Sequence, residues 1–521
     1  MEPVFEAPER FNLADWLLDA RVREGRGGRV ALRLPGREIT YAEVQALANR
    51  FANVLGALGV RREERVFVAL PDGAEFVGAL FGVLKAGAVV VMVNPELPAD
   101  ALAALLDYLT PRLALVDGAR AEVWIDAAGR AQERCALLTA GASAPGCPSF
   151  EELSRTVGDE FSTAATHRDD SAVWLFSGGT TGRPKAVVQS HRSYAYTTVA
   201  YGQRVLGLTE SDVTLSVPKL FFGYAMGSNL FFPFSVGACA CLFPERATPE
   251  AIFAAVVRHR PTLLVNVPTM IGRMLEHPTA GEQDFSSLRL VTSAGEALPE
   301  PLQRRWTETF GVELLDGLGT AEQWHIFLSQ RPGAVRPGTL GGTVAGFEIR
   351  VRDEAGADLA DGETGWLWVR GGARAWGYWR EMEKTQATFR GEWVVTGDLV
   401  ARDADGFFTY QGRGDDVLKV GGKWFSPAEV EACLLLHPAV AECAVVGVVG
   451  EAGLTKPHAW VIAREARAGL ADELREHVAA ALQPYKAPRV VHLVAELPRT
   501  HLGKIDRGAL RRGGGRTPSS T

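Results

Sequence analysis

Leu175–His191 reads LFSGGTTGRPKAVVQSH. Ser177, Gly178, Gly179, Thr180, Thr181 and Gly182 stand ahead of Lys185, and the run SAVWLF leads into them. A short apolar run of that kind reads as a buried strand. A strand ending in a glycine- and hydroxyl-rich loop with a lysine behind it can cradle a polyphosphate. Bare backbone N–H groups and hydroxyls donate to phosphate oxygens, and the lysine adds charge. The loop is not a Walker A sequence, because no Gly-Lys-Ser/Thr follows at that spacing. Taken alone, it reads equally well as a surface turn.

Five more segments carry groups able to do chemistry. They are TSAGEALP (Thr292–Pro299), DGLGTAEQWHIF (Asp316–Phe327), WVVTGDLV (Trp393–Val400), YQGRGDDVLKVGGKWFSPAEVE (Tyr410–Glu431) and LPRTHLGKIDRGALR (Leu497–Arg511). Each alone is an ordinary turn, hairpin or exposed Gly-Lys pair. In this order, over Phe11 to Arg512, the set strongly resembles the adenylate-forming superfamily of acyl-CoA synthetases, peptide-synthetase adenylation domains and luciferases.

The resemblance implies two half-reactions, with ATP and CoA as co-substrates. A carboxylate attacks the α-phosphate of ATP, giving an acyl-adenylate and pyrophosphate, and a thiol then displaces AMP. Repulsion between the anionic nucleophile and the phosphates must be offset by fixed positive groups and donors. The implied residues follow motif by motif. Ser177 to Gly182 and Lys185 hold the β- and γ-phosphates. Gly295, Glu296 and Ala297, with Asp316 and Gly317 nearby, line the adenine site. Asp398 and Arg413 meet the ribose hydroxyls. Glu322 is the Mg²⁺-linked acid, in keeping with the one or two carboxylates magnesium takes beside phosphate oxygens. Lys504 is the catalytic lysine, and Asp415 is the hinge that absorbs a domain rotation. Lys419, Gly421 and Gly422 face the thioester-forming site. The chain departs from the family pattern at Ala321, where threonine is usual; Thr320 offers a hydroxyl from the neighbouring position.

KLFFGYAMGSNLFFPFSVGA (Lys219–Ala238) and HIFLSQRPGAVRPGTLG (His325–Gly341) resemble the benzoate-CoA ligase branch. They imply an acyl pocket made by Phe222, Gly223, Tyr224, Gly319, His325 and Ile326, suited to an aromatic or other cyclic acid. Benzoate ligases tend to have alanine where Gly223 stands, so a wider pocket is expected. Two alternatives remain open: loading of a carrier-protein pantetheine in trans, and a half-active nucleotide-binding relative. Retention of Lys185, Glu322, Asp398, Arg413 and Lys504 argues against the second.

These groups need elements to hold them. ITYAEVQALANRFANVLGALG has helical spacing, while RVFVAL, RLALVD and TLLVNV read as strands. Their alternation predicts α/β architecture with buried sheets, and the resemblance implies that these form a large N-terminal domain (1–412) of stacked αβ sheet subdomains. Past Gly362 the short strands between Gly and Asp predict a β-rich subdomain. A small α+β domain (413–512) of about 100 residues follows, which the resemblance implies is mobile, then a disordered tail (513–521). The 521 residues are 47% hydrophobic and 22% charged, which allows a large core, and the net charge of −7 disfavours nucleic acid as a partner. The longest apolar stretch, FVGALFGVLKAGAVVVMVNP, is interrupted by Lys85 and glycines and reads as helix, turn and strand, not a membrane span. The acidic N-terminus lacks the basic start of a signal peptide. Six cysteines read as buried free thiols of a cytoplasmic protein. The oligomeric state is left open, a dimer included.

Overall fold

The computed structural model describes residues 4–178, 184–414, 418–420, 423–449, 455–465, 467–499 and 505–513. Two large sheets form the N-terminal region. In the seven-stranded sheet, Ser171–Ser177 lies between Val89–Met92, which runs parallel to it, and Lys185–Ser190, which runs antiparallel. The nine-stranded sheet has parallel strands Val213–Ser216, Leu263–Asn266, Leu290–Ser293 and Leu314–Gly319 as neighbours, then Ile326–Ser329 antiparallel. A five-stranded antiparallel sheet follows, built on Thr364–Gly371 and Trp393–Arg402. The β-rich texture after Gly362 thus has its sheet, which extends through Arg413 on the strand Phe408–Arg413.

The run expected to break into helix, turn and strand does so: helix Ala74–Lys85, Gly87 at φ 71°, strand Val89–Met92. Apart from Glu75 this helix is buried, and it packs on Tyr41–Ala57, whose start is closed by a reciprocal Thr40/Glu43 capping box. The two helices approach so closely that a Cβ at Gly82 would sit 2.5 Å from Phe51 Cβ. Lys85 survives there because Asp19 Oδ1 accepts from its ammonium at 2.5 Å, while Asp19 also receives Thr163 and Gln45. A buried charge is tolerable when so paired.

The smaller C-terminal unit pairs Leu418–Val420 with Lys423–Phe425, then builds a three-stranded sheet of Val440–Val449, Thr455–Ala463 and Val490–Leu493 with helices Pro427–Leu435 and Leu470–Ala481. The architecture is mixed α/β, as its sequence pattern implies. The cysteine expectation needs one correction. Cys239, Cys241, Cys433 and Cys443 are buried, but Cys135 and Cys147 are only partly so, because they flank the edge strand Ala136–Ala140 and its loop. Among the described residues no helix is long and apolar enough to cross a membrane. Apart from Gly513, the expected tail lies outside the described residues.

Candidate active site

The residues assigned to the phosphates come from the seven-stranded sheet and from a 3₁₀ turn. Ser177 ends its strand directly opposite Lys185, so the register closes the two arms of the glycine-rich loop at its base. Gly178 is exposed; Gly179, Thr180, Thr181 and Gly182 lie outside the described residues. The Lys185 ammonium sits 4.3 Å from the centre of the Tyr378 ring. Burial lowers its pKa, and the Glu322 carboxylate works against that shift. Glu322 lies in a single 3₁₀ turn, Ala321–Gln323, and is 6% exposed. The Tyr378 hydroxyl donates to Glu322 Oε1 at 2.6 Å, and the Glu322 carbonyl accepts from Ala375 N at 2.8 Å.

Asp398 and Arg413 face each other across an antiparallel pair, with Arg413 Nη1 donating to Asp398 Oδ1 at 3.2 Å and to the Thr396 carbonyl at 3.1 Å. Burial raises the Asp398 pKa, which Arg413 opposes. Burial also works against the Arg413 charge, but Asp398, Tyr410 and Glu322 outweigh it and the net shift is upward. Lys185, Glu322, Asp398 and Arg413 therefore share one electrostatic neighbourhood. Tyr378 was not singled out from sequence: a tyrosine in GYW carries no spacing signal, and only the pairing of Gly377–Tyr378 with Lys185–Ser190 brings it in.

Gly295, Glu296 and Ala297 follow the strand Leu290–Ser293 and are exposed, with Gly295 at φ 89°. The Glu296 carboxylate is engaged at the start of a helix, accepting from Thr269 N at 3.1 Å and Thr269 Oγ1 at 2.6 Å. Asp316 pairs with Ser293 in parallel register; it is buried, its Oδ1 has no partner among the described residues, and burial pushes its pKa well up. Gly317 and Gly319 lie on the same strand, and a Cβ at Gly319 would sit 2.2 Å from the His325 carbonyl oxygen, so only glycine fits. These groups collect at the carboxyl ends of parallel strands, where open α/β sheets bind ligands.

On the acyl side, Phe222 leads into a short helix, Gly223–Met226. The Tyr224 hydroxyl donates to Thr292 Oγ1 at 2.7 Å. The Tyr224 carbonyl lies 3.1 Å from His325 Nε2, so that nitrogen carries the proton and donates. Ser228 Oγ is 3.2 Å from the same nitrogen. Burial pushes the His325 pKa down to about 3, so the imidazole is neutral. Its Nδ1 is a buried acceptor without a partner among the described residues. The ring packs against Tyr201, Tyr224 and Phe232, and Gly227 leaves room for it: a Cβ there would sit 2.5 Å from His325 Cδ2. Ile326 pairs with Gly319. The segment is anchored at its start by Asp72, whose Oδ1 accepts from Leu220 N at 2.9 Å and whose pKa burial pushes up to about 7. At its end the carbonyls of Ser235, Val236 and Gly237 accept from Arg21, Arg26 and Arg29, cations at a helix C-terminus where they are favourable.

One expectation changes. A Cβ on Gly223 would sit 2.8 Å from Leu175 Cδ1, so the place of the missing methyl is already taken by Leu175 and is not open pocket. Ala321 packs against the apolar cluster of Val187, Ala375, Tyr378, Phe389 and Val394, which suits a methyl better than a hydroxyl. Thr320 Oγ1 next to it is buried without a partner among the described residues. Lys419 is placed by its backbone on Leu418–Val420, opposite Trp424. Asp415, Gly421, Gly422 and Lys504 lie outside the described residues.

A cluster of lysine and carboxylate thus lies one short turn away from a neutral imidazole packed among aromatic rings, a juxtaposition that could bring an aromatic carboxylic acid to a nucleotide. The AMP-binding enzyme family matches residues 18–379, and the AMP-binding enzyme C-terminal domain matches residues 429–504. The chain belongs to the AMP-binding enzyme family. It is 40% identical over 514 residues to a benzoate–CoA ligase of Thauera aromatica, covering 98% of this chain and 97% of that one. Among solved structures, a benzoate CoA ligase from Burkholderia xenovorans LB400 is 41% identical with a TM-score of 0.88, covering 96% of this chain and all of that one. The anthranilate CoA ligase AuaEII in complex with anthranoyl-AMP is 38% identical with a TM-score of 0.93, covering 98% and 99%.

Proposed function

We propose that the chain is an ATP-dependent ligase that activates an aromatic carboxylic acid as its acyl-adenylate and passes the acyl group to CoA. The observation that carries this reading is the short path between two chemistries. Glu322, bonded to Tyr378 beside Lys185, and His325, bonded to Tyr224 among aromatic rings, are three residues apart on the short connection between the turn Ala321–Gln323 and the strand Ile326–Ser329.

In the first half-reaction the acid's carboxylate attacks the α-phosphorus and pyrophosphate leaves. Lys185 and the loop Ser177–Gly182 offset charge on the leaving phosphates, with Thr320 as a further hydroxyl. The exposed Gly295–Ala297 edge, with Asp316 and Gly317, receives the adenine, and the Asp398–Arg413 pair the ribose hydroxyls. Lys504 meets the charge developing between carboxylate and phosphate. Among the described residues no group of three or more His, Cys, Asp or Glu side chains could hold a metal. The lone Glu322 carboxylate fits magnesium carried on phosphates, not a caged ion. When bound there by Glu322, magnesium neutralises phosphate charge. In the second half-reaction the CoA thiolate attacks the acyl carbonyl and AMP leaves. The C-terminal domain (413–512) turns about Asp415 against 1–412, and Lys419, Gly421 and Gly422 line the thiol's approach.

The acid is a benzoate, plain or carrying a small substituent, held between Tyr224, Gly319, His325 and Ile326 beside Phe222 and Gly223. Acid-dependent AMP release should be measured with benzoate, 2-aminobenzoate and hydroxybenzoates, with CoA present, omitted, or replaced by a pantetheine-bearing carrier protein. Turnover with an aromatic acid and CoA is expected. Turnover only with the carrier protein would replace CoA as acceptor, and none with any aromatic acid would overturn the reading.

A further inference from the structure

We infer that Trp324 is a positioning residue that holds the phosphate-side carboxylate and the acid seat in fixed relation; the inference rests on the ligase reading above. Trp324 has φ 60° and ψ −52°. Two other non-glycine residues at positive φ differ: Thr110 and Arg260 end helices with ψ 57° and 58°, the ordinary left-handed cap. At Trp324 the negative ψ and the hydrogen bond from His325 N to the Gln323 carbonyl, 2.8 Å, define a γ-turn. This positive-φ form is the rare and strained one. A bulky residue keeps such a backbone only where its surroundings over-determine it.

The surroundings do so from both sides. The preceding 3₁₀ turn is fixed by its carbonyls: Ala321 O accepts from Gln189 Nε2 at 2.7 Å and from Trp324 N at 3.1 Å, and Glu322 O from Ala375 N. The indole is 3% exposed and gripped by Tyr194, Phe231 and Phe232, with ring centres 4.5, 5.7 and 5.7 Å away. Phe231 and Phe232 belong to the same helical segment as Tyr224 and Ser228, which hold His325. The indole therefore ties the acid-side helix to the turn that aims Glu322. The reversal at Trp324 sends Glu322 to Tyr378 and His325 to Tyr224. A shift of the indole would disturb both seats at once, whereas a group serving one seat would disturb one.

Full-length wild type and the variants Trp324→Leu, Trp324→Phe and His325→Asn are compared in acid-dependent ATP–pyrophosphate exchange. The KM for the acid and the magnesium–ATP requirement are read separately. Trp324→Leu, which loses the ring contacts, should raise both constants together by about ten-fold. Trp324→Phe should move the same two constants by less, and His325→Asn should raise the acid constant alone. If the leucine variant does not fold, the phenylalanine variant carries the test by the same joint shift. A change in one constant only, or a lowered kcat and melting temperature with both constants intact, would overturn the inference and leave the ligase reading standing. Absence of exchange in wild type would overturn the ligase reading itself.

Discussion

Tyr378 and Glu322 form the most economical test at the residue scale. The phenol fixes one carboxylate oxygen at 2.6 Å in a site that is 6% exposed. A hydrogen bond to a charged group is worth about 1.5–3 kcal/mol, so Tyr378→Phe should lower kcat/KM for magnesium–ATP by about 10–100-fold and leave the acid's KM near wild type. Glu322→Gln removes the charge itself and should lose more, about 10²–10³-fold in pyrophosphate exchange. Equal, small losses in both variants would mean the carboxylate does not face the phosphates. Gly223 makes a second test. Its missing methyl is occupied by Leu175 Cδ1, so Gly223→Ala should push Leu175 and shrink the acid seat. One methylene in an apolar pocket discriminates by about 1–3 kcal/mol. The ratio of kcat/KM for 2-aminobenzoate over benzoate should fall accordingly, and adding Leu175→Ala should restore it. A ratio that never moves would place both residues away from the acid.

At the element scale, the acid-side segment is fastened at Leu220 by a buried carboxyl on the turn between Arg65–Ala69 and Ala74–Lys85. Burial pushes the Asp72 pKa up to about 7, with the Lys219 ammonium pulling the other way. That ammonium is itself held by the Phe243 carbonyl at 2.6 Å. The folded-state value is above the usual aspartate value of about 3.9. The folded chain therefore binds more protons than the unfolded one between those values, and stability falls as pH rises through that window. The cost is at most about 1.5 kcal/mol at pH 5 and about 4 kcal/mol at pH 8. Asp72→Asn still accepts from Leu220 N and cannot ionise. Its melting temperature relative to wild type should therefore rise between pH 5 and pH 8. A constant difference across that range would show that Asp72 does not titrate there. The same segment shows what sequence alone could reach: KLFFGYAMG marks it as a unit, but Asp72 is far away in the chain and invisible to any local pattern.

Across the whole molecule, the α/β alternation, the buried helix with its turn and strand, and the convergence of Lys185, Glu322, Asp398 and Arg413 were legible because each rests on local periodicity or an ordered motif. Tyr378, Leu175 and Trp324 were not, because their roles come from cross-sheet pairing, a glycine's neighbour and a backbone reversal. What remains is how one chain serves two half-reactions. Lys504 and Lys419 both follow Arg413, the last residue of the five-stranded sheet, in the sequence, so both would travel with the C-terminal domain if it turns about Asp415 as proposed. If a single placement of that unit served both reactions, removing either lysine would disable both. If the unit presents one face to the adenylating site and another to the thiol, the losses separate. Lys504→Ala should lower acyl-adenylate formation by about 10²-fold or more, since it withdraws a cation from developing charge, while thioester formation from supplied adenylate stays within a few-fold. Lys419→Ala should do the reverse, sparing pyrophosphate exchange and slowing transfer to CoA. The two half-reactions, measured separately in both variants, decide it: parallel losses would exclude a two-placement mechanism, and crossed losses require one.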